Sequence, residues 1–199
     1  MPRIRPFRPG DEAALAEVCL KTADAGADAT GVLDDDELWA EIFVLPYVAR
    51  HPEFAFVAET DDGRVAGYIV GAPDSAEFET WFRAQWWPRH VVRWPDSHVT
   101  ASRQDEIVRY AYGRGSSGGQ PFGDDYPAHL HIDLLPELQG QGLGRRLIET
   151  LEQALREAGV RGLHLVASVE NTGGVAFYPR VGFEPIASSE GTRAFAKKL

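Results

Sequence analysis

The chain has 199 residues, 44% hydrophobic and 11% aromatic, enough to bury one sizeable core, and a formal net charge of −10 that disfavours nonspecific binding to nucleic acid. The single cysteine, Cys19, excludes an intrachain disulfide and a cysteine-based zinc site. The first residues, Met-Pro-Arg-Ile-Arg-Pro-Phe-Arg, carry no apolar signal region, and no apolar run approaches the ~18 residues of a membrane span, so a cytoplasmic protein without membrane contact is expected. The acidic balance is compatible with a cationic small molecule or a basic peptide as partner, and the plainer reading is that it keeps the protein soluble.

In chain order, Arg3 to Arg8 reads as an edge strand and Asp11 to Ala23 as a helix, with Leu15, Val18, Cys19 and Thr22 on one face. Acidity is densest from Asp24 to Glu41, where Asp34 stands three residues ahead of Glu37 in the manner of a helix N-terminus. Leu38, Ile42 and Leu45 make the stripe of a second helix that Pro46 is expected to end. Phe54 to Thr60 and Arg64 to Gly71 form a hairpin across Asp61-Asp62-Gly63. From Pro73 to Pro127 the strand pattern is interrupted. This insert holds Trp81, Trp86, Trp87 and Trp94 among Arg83, Arg89 and Arg93, and ends in a glycine-serine loop from Gly113 to Gly123. Its aromatics can wall an acceptor pocket, bury a homodimer interface, or anchor the insert on the core. A strand from His129, a helix with stripe Leu143, Leu147, Leu151, Ala154, Leu155 and Ala158 stopped by Gly159, a strand Leu163 to Ser168, another helix and a C-terminal hairpin complete the chain.

The junction between the His129 strand and the following helix carries the chemistry. Strand, proline and a turn containing Gly140, Gly142 and Gly144 lead into a helix expected from Arg145. Glycines permit close approach of backbone, and the orphan N–H groups at a helix start attract an anion, so the turn reads as a pyrophosphate cradle. Gly144 is followed by Arg145 and Arg146 rather than Lys-Ser/Thr, which removes a nucleoside-triphosphate P-loop, and the glycine spacing does not fit a dinucleotide fingerprint.

Gln139-Gly140-Gln141-Gly142-Leu143-Gly144 resembles the acetyl-coenzyme A signature of the GNAT N-acetyltransferase superfamily. Asn171, Ala176-Phe177-Tyr178 and Val181-Gly182-Phe183 are similar to that family's ending, and the match covers residues 129–186. Residues Tyr126 to Pro136 further resemble the acetyltransferase-like domain attached to some O-GlcNAc hydrolases and its free-standing bacterial relatives, some of which look unable to bind the cofactor. This chain keeps the full glycine turn. The resemblance implies an α/β (α+β) fold: a mixed, mostly antiparallel twisted sheet flanked by helices in one domain over 1–199, where the insert at 73–127 replaces a tight hairpin between the third and fourth strands.

It also implies direct transfer of acetyl from acetyl-CoA to a primary amine of a small molecule, peptide or protein lysine, with coenzyme A as product. An alkylammonium has a pKa of about 10.4, so a base is useful for the amine and an acid for the leaving sulfur. By resemblance Tyr178 is the acid. His129, His131 and Asp133 alternate and share one face of their strand, which nominates Asp133 and His131 as bases, with Glu170 after the next strand a third candidate. The resemblance assigns backbone N–H groups of Leu134 and Leu135 to the pantetheine arm, Gln139, Gly140, Gln141, Gly142, Leu143, Gly144 and Arg145 to the pyrophosphate, and added charge to Arg146. Asn171 is assigned to pantetheine or a helix cap, and Phe177 to the cofactor site. Cys19, in an early helix, is no acyl carrier. Two other readings are open: a noncatalytic acyl-CoA sensor or interaction module on the same fold, separated by thioester turnover, and a zinc hydrolase using His129, His131 and Asp133, which lacks a second ligand cluster.

Overall fold

The computed structural model describes residues 2–96, 101–115 and 122–199. Its elements are β1 (Arg3–Pro6), α1 (Glu12–Leu20), α2 (Glu37–Phe43), α3 (Leu45–Arg50), β2 (Ala55–Glu59), β3 (Val65–Ala72), α4 (Ser75–Trp81), α5 (Arg103–Gly113), β4 (Ala128–Leu134), α6 (Leu143–Glu157), β5 (Gly162–Ser168), α7 (Thr172–Arg180), β6 (Glu184–Ile186) and β7 (Thr192–Lys198). Seven strands form one sheet in the order β1-β2-β3-β4-β5-β7-β6. All neighbours are antiparallel except β4 and β5. Helix α1 packs on one face of β3, while α6 covers β2 and β3 from the other.

That parallel pair organises the sheet. β4 is zipped to β3 from Ala72↔His129 to Gly67↔Leu134, and β5 to β7 from Gly162↔Lys198 to Ser168↔Thr192. Between themselves β4 and β5 share only Ala128↔Leu163 and His129↔His164. Each strand is held on its outer side, and beyond those two rungs the inner edges part. A sheet opened this way leaves main-chain donors and acceptors that need a partner of extended shape.

Several local readings shift. α1 and β1 are shorter than expected at their C-terminal ends. Pro46 does not end a helix: α2 stops at Phe43 and Pro46 sits in the first turn of α3, where its missing N–H costs nothing. Asp34 does not cap α2, whose N-cap is Asp36, with that carboxylate accepting from the Gly31 N–H instead. α6 begins at Leu143, two residues before the expected Arg145. Its buried stripe runs Leu143, Leu147, Ile148, Leu151 and Leu155, and Ala158 is exposed beyond it.

The insert docks mainly on α2. Trp87 and Trp94 are buried, the Trp86 indole donates to the Glu41 carbonyl at 2.9 Å, and Arg93 and Trp94 both reach the Asp35 carboxylate. Its described side chains join the same core as the sheet, in keeping with the anchoring reading of the tryptophans. Of the expected glycine-serine loop, residues 116–121 lie outside the described residues.

Arg114, at the C-terminal end of α5, ties insert to sheet. The residue is only 6% exposed, and its guanidinium grips the Glu79 carboxylate at 2.7 and 2.9 Å, donates to the Ile42 carbonyl and the Tyr47 hydroxyl, and stacks on Phe82. With Tyr47 accepting from Arg114, its own proton goes to His129 Nε2 at 2.7 Å; His129 Nδ1–H then meets Ser75 Oγ, also at 2.7 Å, whose proton goes to the Pro127 carbonyl. Every member of this chain is satisfied only if His129 is neutral, and burial drives its pKa well below the ordinary histidine value.

Two outcomes follow from this tie. Arg114→Ala, which leaves the Glu79 carboxylate half-buried without its partner, is expected to cost about 3–5 kcal/mol in urea unfolding. A histidine held neutral in the folded state but protonated below about pH 6.5 when unfolded contributes stability that is complete above that pH and lost as pH falls. Comparing urea unfolding at pH 7 and 5, we expect His129→Gln to flatten the acid-side slope by about 1.4 kcal/mol per pH unit.

Candidate active site

Where β4 and β5 part, a crevice of about 200 Å3 opens, walled by β4, β5 and the end of α1, with Trp39 and Phe43 of α2 at one side and Asn171 and Tyr178 at the other. The phase of the β3–β4 ladder decides which backbone groups face it. The Leu135 N–H donates to the Ala66 carbonyl at 2.9 Å. In an antiparallel ladder alternate residues turn their N–H and C=O outward, so Leu134 presents its pair to the β5 side. Consistently, the Leu134 carbonyl accepts from Gln139 Nε2 at 2.8 Å, off the β3 edge. Of the two expected pantetheine donors, Leu135 is therefore already committed within the sheet, and Leu134 is the one that faces the opening.

At the end of β4 a short 3-10 turn, Pro136–Leu138, leads into the glycine loop. Gly140 and Gly142 have φ of 71° and 77°, and Gly142 is the left-handed N-cap of α6. No atom lies within 4 Å of where a Cβ would stand on either, so these glycines serve backbone conformation and an open outer face. Gly144 differs: a Cβ there would meet the Phe177 ring at 3.1 Å, so it serves close packing of α6 on α7, and Phe177 backs the turn. Gln139 and Gln141 direct their side-chain amides to the Leu134 and Glu137 carbonyls, bracing the loop. Leu143 is buried and contributes to the loop face only through its backbone. Arg145 donates to the Arg180 carbonyl at the C-terminal end of α7, while Arg146 lies along a shallow groove with Glu149 and Thr150. The first N–H groups of α6 lack intrahelical acceptors by construction.

The candidate acid–base residues separate by environment. Asp133 stands opposite Tyr68 in register, and the Tyr68 hydroxyl donates to its carboxylate at 2.5 Å. Burial raises the Asp133 pKa, opposed by the hydrogen bond from Tyr68. Tyr178, 8% exposed, sits in α7 against Phe183 and Phe195, and burial, then the nearby Asp133 charge, raise its pKa, which keeps its proton on at neutral pH. His131 also lines the crevice, but burial and the Arg114 charge push its pKa down to about 3. Glu170 lies in an exposed turn after β5 and does not wall the crevice. The Asn171 side chain caps α7, its Oδ1 accepting from the Gly174 N–H at 2.8 Å, while the residue also lines the crevice. Cys19 is a crevice residue too, a buried thiol whose pKa burial raises far from that of a nucleophile.

Both ring nitrogens of His129 are held by Tyr47 and Ser75, which leaves none for a metal. Among the described residues no helix is long and apolar enough to cross a membrane. Tyr68, Thr22, Tyr47 and Arg114 shape the site yet carry no motif of their own. Only the strand register and the docking of the insert bring them in.

A model of the Acetyltransferase (GNAT) family matches residues 74–183. The chain is 23% identical over 190 residues to Protein O-GlcNAcase of Rattus norvegicus, covering 94% of this chain and 20% of that protein, so it spans about a fifth of the length of this relative. It is 34% identical over 104 residues to Mycothiol acetyltransferase of Nocardiopsis dassonvillei, covering 48% of this chain and 30% of that one. The crystal structure of SsHAT superposes with a TM-score of 0.93 at 39% identity, over 99% of this chain and 98% of that one. The family match runs through β4, the glycine turn, β5 and Tyr178 and takes in more than half of the chain, which belongs to the acetyltransferase (GNAT) family.

Proposed function

We propose that this protein is an acetyl-CoA-dependent N-acetyltransferase that transfers the acetyl group directly to a primary amine of a small molecule, a peptide or a protein lysine. One observation supports the reading: the crevice at the open β4–β5 edge is lined by a half-buried carboxylate, Asp133, and by Tyr178, and β4 runs on past it through Leu134 to the glycine loop and the start of α6. The geometry fits the cosubstrate. The outer face of Gly140 and Gly142 is clear, the loop is braced from behind, and the N-terminus of α6 favours an anion, as a pyrophosphate requires. Leu134 offers the outward backbone N–H that an extended pantetheine amide pairs with, and Asn171 lines the crevice. Phe177 holds the turn from beneath, and Arg145 and Arg146 add positive charge near the phosphates.

Acetyl-CoA supplies an activated acyl carbonyl. The protein supplies proton handling around it. The acceptor reaches the crevice as an ammonium and must lose a proton before it attacks. Asp133, whose affinity for protons burial has increased, takes that proton directly or through water and becomes a neutral carboxyl group, while the Tyr68 hydroxyl holds it in place. His131, with a pKa of about 3, stays neutral and accepts a hydrogen bond rather than the proton. Tyr178 keeps its proton through neutral pH and donates toward the leaving sulfur.

Binding and chemistry are separable in the variants. Tyr178→Phe is expected to lower kcat by about 10²-fold or more with acetyl-CoA affinity unchanged, read by steady-state kinetics and calorimetry; unaltered turnover removes the tyrosine from the acid role. Gly142→Val places a β-branched side chain at a left-handed φ and over the anion face, and is expected to weaken acetyl-CoA binding by about tenfold or more. Unchanged affinity contradicts the cradle.

A further inference from the structure

Beside the crevice lies a second and larger cavity, about 290 Å3, close to the lower end of the ~300–1,000 Å3 typical of small-molecule sites. Leu130, His131, Leu165 and Val166 line both, so the two spaces are neighbours across the point where β4 and β5 part. The crevice is walled by α1 and α2. The side chamber is walled by the insert, through Glu79, Tyr110 and Arg114, and by the β6–β7 loop, through Ser188, Ser189 and Thr192.

The charges in the chamber cancel. Both Glu79 oxygens accept from Arg114, and two further N–H groups of that guanidinium go to the Ile42 carbonyl and the Tyr47 hydroxyl, so four of its five donors are used. A second ammonium entering here loses its hydration and meets no unpaired carboxylate. An anionic group meets Glu79 beside a guanidinium whose charge that carboxylate already balances. Both cost free energy that an uncharged group avoids. What the chamber does offer is neutral: the Ser189 and Thr192 hydroxyls, the half-exposed Tyr110 and the imidazoles of His131 and His164.

We propose that this side chamber receives the part of the acceptor remote from its amine, and that it selects monoamines with an uncharged, hydrogen-bonding tail over diamines and polyamines. The inference rests on the transferase reading above, since it needs the amine to lie at the crevice.

The test compares ethylamine, aminohexanol and diaminohexane as acceptors. For the unaltered protein, kcat/KM for aminohexanol is expected to exceed that for each of the other two by about tenfold or more. Ser189 is exposed and outside the proposed cofactor and acid–base groups. Ser189→Trp fills the chamber and is expected to reduce aminohexanol to the level of ethylamine. Ser189→Asp adds an unpaired carboxylate and is expected to raise diaminohexane above aminohexanol. Unchanged acetyl-CoA affinity in both variants verifies the fold. Equal use of the two long amines, or selectivity unmoved by both substitutions, overturns the inference.

Ligand-observed saturation-transfer NMR on the protein saturated with coenzyme A makes the same comparison without turnover. Preferential binding of aminohexanol without acetyl transfer supports the chamber and removes the transferase reading. Transfer without the preference does the reverse.

Discussion

The divergence of β4 from β5 is the constraint on which the rest of the molecule depends. A parallel pair that stays zipped buries its ladder and offers nothing to a ligand. Here the pairing ends after His129↔His164, while the outer partners β3 and β7 follow their strands for their full lengths. The opening is therefore stable without a ligand, because the cost of unpaired inner edges is offset by complete outer ones and by cores on both sides. It sets the reach from Leu134 to Tyr178, and it points the C-terminal end of β4 at the glycine turn. A continuous sheet of the same composition would hold the same residues and have no site.

An opening of this kind needs a rigid rim, and the insert supplies part of it. Arg114, Tyr47, His129 and Ser75 form a directed chain of donors and acceptors that closes on the Pro127 carbonyl, just before β4 begins. Buried polar chains are costly when one member is unmet and rigid when all are met. This one is complete, and it fixes the N-terminal end of β4 against α3 and α4. The tryptophans are the apolar half of the same arrangement, holding the insert on α2 so that Arg114 arrives in place.

What the sequence made legible is what local physics determines. Gly140 and Gly142 occupy positive φ because the turn demands it, and the spacing of Leu143, Leu147, Leu151 and Leu155 is a helix stripe wherever it occurs. Contacts across the insert were not legible. Tyr68 meets Asp133 through a register that no spacing discloses, because fifty-odd residues separate the two strands. The expectation that Pro46 ends a helix failed for a different reason: proline is compatible with the first turn of a helix as well as with the end of one, and Val44 breaks the chain direction between α2 and α3. The resemblance names Leu134 and Leu135 together, and only the register of the β3–β4 ladder shows that the Leu135 N–H goes to Ala66 while that of Leu134 faces the other edge.

The same distinction bears on the acid–base assignment. Alternation puts His129, His131 and Asp133 on one face, and in solution a histidine is the natural base near neutral pH. Inside this protein the order reverses. Burial disfavours whichever form is charged, so it lowers the basicity of an imidazole and raises that of a carboxylate. The Arg114 charge, held in place for structural reasons, pushes His131 further down. Alternation thus puts three polar groups on one face, with Asp133 and His131 the base candidates among them, and the dielectric and the Arg114 charge leave Asp133 as the one of the two with the greater affinity for a proton. The insert bears on both spaces: it walls the cavity beside the crevice, and its Arg114 charge lowers the basicity of His131.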